Sequence, residues 1–518
     1  RLGEPPRELA QHVVARRVSE RVVDRLEAVD VEHEDGVGVS AHGPEHGRAD
    51  QVVGIRLGAD VRGAGAELLA AAAAGAAAAP GQGSGQAASN AQWPIKTREH
   101  VDLWLHGFAM VSDDISPLAT CGRADTDRRK AHSAELFAAL ARAGHDVTVY
   151  TRRDNPDLPE RVTTAHGYTV VHVPAGPAAP LVEDEVLPTM GTFAGFLEAD
   201  WMRHRPDVAP AHSWTSGIAT QLAARALSLP TVQTFATLSV AESALQSGGE
   251  MDLSSRMRLE RVLAKGAHHV VATCSEQVFE LSRMGLPRTR ASVVPSGVDV
   301  DHFTVAGFGT VPSSRGRYRL VAAGRPAPED GFDTAVTALS LLPDTELVIA
   351  GGAAHDDAAA DETDRLLALA DELGVRERVH MEGHVTRDRM PALLRSADVV
   401  LCPSRYEPFG IVALEAMACG RPVVATAVAS LRDIVVDGVT GLLVPPRSPH
   451  AVATAVRELI ADPVQHGAFG VAGRDRAETR YSWGRAVVDL VGAYERAVRQ
   501  SLAEPVTVRA GASRSGAL

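Results

Sequence analysis

From about residue 99 onward the chain alternates between short apolar runs and amphipathic helical stretches, and no other property of the sequence narrows its fold as far. Runs such as Val147-Thr148-Val149-Tyr150, Val270-Val271-Ala272-Thr273, Leu347-Val348-Ile349-Ala350 and Val423-Val424-Ala425 read as strands by length and apolar character. Helical periodicity between them makes the connections crossovers, so successive strands lie parallel. The pattern predicts strands at 103–111 and 147–150, further units through Val208, Val232 and 270–273, then a second series at 318–323, 347–350, 399–401 and 423–425. Helices are predicted near 131–143, closed by Gly144-His145-Asp146, and at 361–373, 390–396 and 449–461. The expected fold class is α/β, with two doubly wound parallel sheets facing a cleft.

A chain of 518 residues holds two or three domains with substantial cores. Its 52 basic and 65 acidic side chains leave a net charge of −13, which disfavours nonspecific attachment to nucleic acid. Cys121, Cys274, Cys402 and Cys419 are scattered without metal-ligand spacing and read as reduced packing residues, which points to a cytoplasmic location. The longest apolar run, 68–79, is alanine-dominated and too short to span a bilayer. Residues 1–98 carry no extended apolar face and are expected to be a poorly ordered extension and linker, like the tail at 501–518.

The densest chemical signal is Pro403-Ser404-Arg405-Tyr406-Glu407-Pro408-Phe409-Gly410-Ile411-Val412-Ala413-Leu414-Glu415. It sets Glu407 and Glu415 around a glycine turn that opens a helix, and it predicts open backbone N–H groups at Phe409, Gly410 and Ile411. The positive end of a helix is where a phosphate or sugar oxygen sits. Eight helical residues rise roughly 12 Å, the length of a nucleotide-sugar, so one carboxylate is placed to hold sugar hydroxyls and the other a ribose. No GxGxxG or P-loop is present, which argues against NAD enzymes and P-loop kinases.

With Ala416-Met417-Ala418-Cys419-Gly420-Arg421-Pro422-Val423-Val424 after it, this segment resembles the retaining glycosyltransferases of family 4, which have the GT-B fold of two Rossmann-like domains. The resemblance runs from about residue 110 to residue 500. It is strongest toward the branch of inositol-phosphate N-acetylglucosaminyltransferases and sucrose-phosphate synthases. It implies an N-terminal acceptor-side domain at 99–297 and a nucleotide-sugar-binding domain at 298–480. Ser292-Val293-Val294-Pro295-Ser296-Gly297-Val298-Asp299 is similar to the crossing between them, and 481–500 to the helix that crosses back. The same context makes Asp299-Val300-Asp301 part of that crossing, so no metal is assigned to it.

What the resemblance implies for chemistry falls on named positions. Catalytic roles fall on His212, Arg325 and Glu407, and donor binding on Phe409, Gly410, Ile411, Glu415, Arg325 and Val385. Charge builds on the leaving diphosphate, so Arg325 is expected there as a guanidinium fork. The chain departs from the family pattern at several of these sites. Asp330 stands where a lysine is usual, a repulsion of about 1–4 kcal/mol at ~4 Å from a phosphate. Ala236 replaces a histidine, and Ala241, Glu242 and Ser243 replace basic residues. Asp127, Arg128, Arg129 and Lys130 replace a glycine-rich stretch and serve either as phosphate ligands or as a solvated helix start. Ala429 and Ser430 replace a Gly-Gly pair and are expected to narrow the donor pocket.

The function implied is retaining transfer of a hexose-type sugar from a nucleoside-diphosphate sugar, a UDP-sugar favoured, to an acceptor hydroxyl. That acceptor is a sugar, a polyol or a lipid-linked glycan. The alternative is a non-catalytic GT-B relative that binds a sugar nucleotide or a protein partner. No cofactor is required beyond the nucleotide-sugar co-substrate, no nucleic-acid partner is expected, and peripheral membrane contact and oligomeric state stay open.

Overall fold

The computed structural model describes residues 105–112, 124–181, 183–240, 253–307, 318–352 and 357–503. The expectations for 1–98, for Ala241, Glu242 and Ser243, and for the tail beyond residue 503 lie outside the described residues, as do the side chains of Arg128, Arg129 and Lys130.

The first sheet contains β1 (Gly107–Val111), β2 (Asp146–Arg152), β3 (Arg161–Thr163), β4 (Thr169–Val173), β5 (Ala209–Ala211), β6 (Thr231–Thr234), β7 (His269–Ala272) and β8 (Ala291–Val293). They run in the order β3-β4-β2-β1-β5-β6-β7-β8, parallel throughout except for β3 against β4. The second sheet contains β9 (Tyr318–Ala323), β10 (Thr345–Ala350), β11 (Val379–Gly383), β12 (Val399–Cys402), β13 (Val423–Thr426) and β14 (Gly441–Val444). Its order is β11-β10-β9-β12-β13-β14, wholly parallel. Every residue of β7, β10, β12 and β13 is buried, as strands covered by helices on both faces must be.

Among the parallel strands of each sheet the order reverses once, between β1 and β5 and between β9 and β12. Ligands of doubly wound sheets bind beyond the carboxyl ends of the strands at such a switch. The chain leaves β9 at Gly324-Arg325 and leaves β12 just before Ser404 and Glu407, so the sequence segments singled out above flank one switch point. His212 follows β5 at the other.

Two crossings join the halves. Val298 and Ser482 form a bridge where the outward and returning chains meet. Trp483 packs over Gly297 there, and a Cβ on that glycine would overlap the indole ring, so only glycine fits. The helix Trp483–Ala503 then lies on the first sheet. Its Leu490, Tyr494 and Val498 share a core with Phe108 and Met110 of β1, Val232 of β6 and Val271 of β7. Farther along the interface, two helices each hold the first amide of the other. Ser275 N–H donates to Asp433 Oδ2 at 2.7 Å, and Ala429 N–H donates to Glu276 Oε2 at 3.2 Å. Each carboxylate satisfies amides that the first turn of the opposing helix leaves open.

Candidate functional site

The segment Gly410 to Ala418 shows why this site forms where it does. Gly410 adopts φ 67°, a left-handed conformation that costs a side-chain-bearing residue about 1–2 kcal/mol. It turns the chain from the β12 loop into the helix Ile411–Ala418, which is buried on nearly all sides. Glu415 points from that helix into a cavity of about 450 Å³ between the two sheets.

Most of the residues expected from sequence meet at this cavity. Arg325, Val385, Glu407, Phe409, Ile411 and Glu415 all line it. The Glu407 carboxylate is not open on its helix side. Its Oε1 accepts the N–H of Phe409 at 3.1 Å and of Gly410 at 3.0 Å. Two of the three amides expected to await a phosphate are thus already held, and the turn is stapled by its own carboxylate. A carboxylate three residues before the N-cap Gly410 is placed to accept the amides of the turn, and that signal was present in the sequence.

Asp330 also reaches the cavity wall. Its Cγ lies 3.3 Å from where a Cβ would stand on Gly324, which sets the carboxyl beside the turn carrying Arg325. The wall as a whole holds six carboxylates (Glu135, Asp299, Glu329, Asp330, Glu407 and Glu415) against the guanidiniums of Arg325 and Arg387. Such a wall accepts many sugar hydroxyls and offers few cations to a diphosphate. Asp299 is committed locally, its Oδ1 accepting the N–H of Asp301 at 3.1 Å and of His302 at 3.0 Å.

Three expectations are corrected. His212 does not line the cavity; its N–H is bonded to Val111 O at 3.0 Å, its ring stands edge-on to Phe137, and Nε2 is sealed without a partner. Burial lowers its pKa to about 4. Ala429 and Ser430 do not narrow the pocket. Both are buried away from it, and Ser430 Oγ donates to the Glu407 carbonyl at 2.6 Å, bracing that loop from behind. Ala236 is off the wall as well, and its neighbour Thr237 lines the cavity instead. The Thr237 stretch is shaped by a buried ion pair, Arg256 Nε to Glu260 Oε1 at 3.0 Å, with Glu260 Oε2 also accepting the Ser239 hydroxyl at 2.6 Å.

Sequence reasoning missed the residues that reach the site from the other half. The helix Ala124–Arg142, which starts before its expected residue 131, presents His132 and Glu135 to the cavity. Glu135 pairs with Arg387 and accepts the Trp483 indole N–H at 2.7 Å. Burial raises its pKa, and Arg387 pulls it back down. Two polar groups one turn apart, just before the apolar run Leu136–Leu140, were the available signal. Among the described residues, no group of three or more His, Cys, Asp or Glu side chains is arranged to hold a metal ion, and no helix is long and apolar enough to cross a membrane.

The two facing sheets and the cavity between them define a GT-B enzyme. Residues 310–476 match the family description "Glycosyl transferases group 1", and residues 130–297 match "Glycosyl transferase 4-like domain". The chain is 37% identical over 408 residues to the D-inositol 3-phosphate glycosyltransferase of Xylanimonas cellulosilytica, covering 76% of this chain and 97% of that one. It is similar in structure to the sucrose-phosphate synthase of Thermosynechococcus elongatus, with a TM-score of 0.67 and 25% identity, covering 76% of this chain and 98% of that one. The Anabaena protein HepE, solved in complex with UDP and glucose, shares the fold at a TM-score of 0.57 and 17% identity, covering 75% of this chain and 99% of that one. This chain belongs to the family 4 glycosyltransferases of GT-B fold and acts on sugar-nucleotide donors.

Proposed function

We propose that the enzyme transfers a hexose-type sugar, with retention of configuration, from a UDP-sugar to a hydroxyl of a sugar or polyol acceptor. The observation that carries this reading is the shared cavity: Arg325 at the end of β9, Glu407 at the helix turn and Glu415 inside the helix all open onto it. In this reading Glu415 holds the ribose, Arg325 meets the diphosphate as its charge grows, and Glu407 holds the transferred sugar. The Ile411 N–H and the positive end of its helix add to the field at the phosphate. Residues 99–297 form the acceptor side and residues 298–480 the donor side. The UDP and glucose named for HepE support the choice of donor class, and the inositol phosphate in the name of the Xylanimonas relative supports a polyol acceptor. Retention follows from same-face attack, which needs a leaving group stabilised where the acceptor arrives.

Calorimetric titration of the protein with UDP, GDP and ADP and their glucose or N-acetylglucosamine conjugates tests it. Saturable binding of one nucleotide series, lost in Glu415→Ala, is the expected result. Binding of none would leave a GT-B scaffold without this donor site.

A further inference from the structure

His132 and His384 both line the cavity, and His132 is the one that reaches it from the first domain. It sits one turn before Glu135 on the helix Ala124–Arg142. Its ring lies 4.8 Å from Trp483 and meets Phe409 edge-on at 5.9 Å, so two aromatic contacts fix the plane of the imidazole. Phe409 belongs to the turn that Glu407 staples, so His132 and Glu407 border the same end of the cavity from opposite halves of the molecule. His212 stands behind it, sealed off. Among the described residues, no hydrogen bond engages either ring nitrogen of His132.

Burial, Arg387 and His212 together lower the His132 pKa to about 4. At neutral pH the ring is therefore an uncharged group with one donor and one acceptor. That chemistry suits a hydroxyl, and without a charge it adds less to the binding of a phosphate than a cation would.

We propose that His132 is a substrate-contacting residue that hydrogen-bonds a hydroxyl of the hexose being transferred, from the face opposite Glu407. This rests on the donor-site reading above. The sugar nucleotide would dock on the second domain, while His132 belongs to the first. The contact therefore exists only when the halves are closed on one another, and it makes the sugar, rather than the nucleotide, the part of the donor that senses closure.

The test compares His132→Phe, which keeps the ring stacking and removes the hydrogen bond, with His132→Asn, which restores a donor and an acceptor. Binding of UDP alone and of UDP-hexose is measured for both, with thermal melting as a control for folding. The expected result is unchanged UDP affinity and about tenfold weaker UDP-hexose binding in His132→Phe, with part of the loss recovered in His132→Asn. Wild-type enzyme should also discriminate against a monodeoxy-hexose donor to which His132→Phe is indifferent. Equal UDP-hexose binding by wild type and His132→Phe overturns the assignment while leaving the donor site intact. Failure of wild type to bind UDP overturns both, and the two failures are told apart by the UDP arm.

Discussion

Arg387 is shared between Glu135 of the first domain and Glu415 of the second. It pairs directly with the former, and its Nη1 lies 3.8 Å from the latter. The guanidinium also lies 5.2 Å from the Phe303 ring, so its position is set from three sides. One cation thus couples an interdomain contact to the carboxylate expected to hold the donor ribose.

Breaking that contact should cost stability through the half left behind. Arg387→Met leaves Glu135 half-buried without its cation, and unfolding in urea is expected to become easier by about 1–2 kcal/mol, below the fully buried range because both groups keep some water. Adding Glu135→Gln should return part of the loss. Strictly additive effects in this double-mutant cycle would show that the pair is not coupled.

Glu415→Gln keeps the shape of the side chain and removes its charge. Nucleotide affinity is expected to fall about tenfold or more, since hydrogen bonds to a charged acceptor contribute roughly 1.5–3 kcal/mol. An unchanged dissociation constant for UDP would place the ribose elsewhere.

Asp330 gives a gain-of-affinity test. Its carboxyl stands beside the turn that carries Arg325, on the wall of the same cavity. Asp330→Lys should tighten UDP binding by tenfold or more if the diphosphate docks there, the repulsion removed being about 1–4 kcal/mol at ~4 Å. Equal affinity in the variant would mean the phosphates lie away from Arg325.

Ala429 adopts φ 37°, a left-handed conformation in a residue with a side chain. Ala429→Gly is expected to stabilise the fold by up to about 1 kcal/mol, the relief of strain exceeding the entropy that glycine adds to the unfolded chain. A clear loss of stability in chemical denaturation would show that the buried methyl outweighs the strain.

His132 and His212 link stability to pH. Both titrate near 4 in the folded protein, below the ordinary 6.5. Between those values the unfolded chain binds protons that the folded one does not, so stability holds above about pH 6.5 and falls as the pH drops toward 4. The loss should be on the order of 1–2 kcal/mol per histidine. Denaturation curves at pH 7.5 and 5.0 measure it, and the double variant with phenylalanine at both positions should show a flatter profile.

Where the sequence was legible, burial made it so. β9 and the helix Pro449–Ala461 fall where their patterns place them, because a strand covered on both faces and a helix with one apolar stripe announce themselves locally. The helix Pro463–Tyr481 left no such mark. Its Gly470 and Gly473 read as breakers, yet they are there because Gly420 and Met417 pack directly against them, contacts set by distant sequence. The site divides the same way. Arg325 at a strand end, Glu407 in the helix turn and Glu415 inside the helix fall on positions that the family resemblance named, and all three line the cavity. His132, Glu135 and Arg387 meet through pairings of about 250 residues' separation, and no local rule encodes those.

The return of the final helix onto the first sheet also has a consequence for biosynthesis. Trp483, Leu490, Tyr494 and Val498 close a core whose other wall, from Phe108 to Val271, leaves the ribosome far earlier. The first sheet therefore emerges with part of one apolar face covered only by the helix Ala124–Arg142, and the rest waits until the whole second domain has been synthesised. The first domain to appear is the last to be finished, and a chain cut short before residue 483 leaves part of that sheet face exposed.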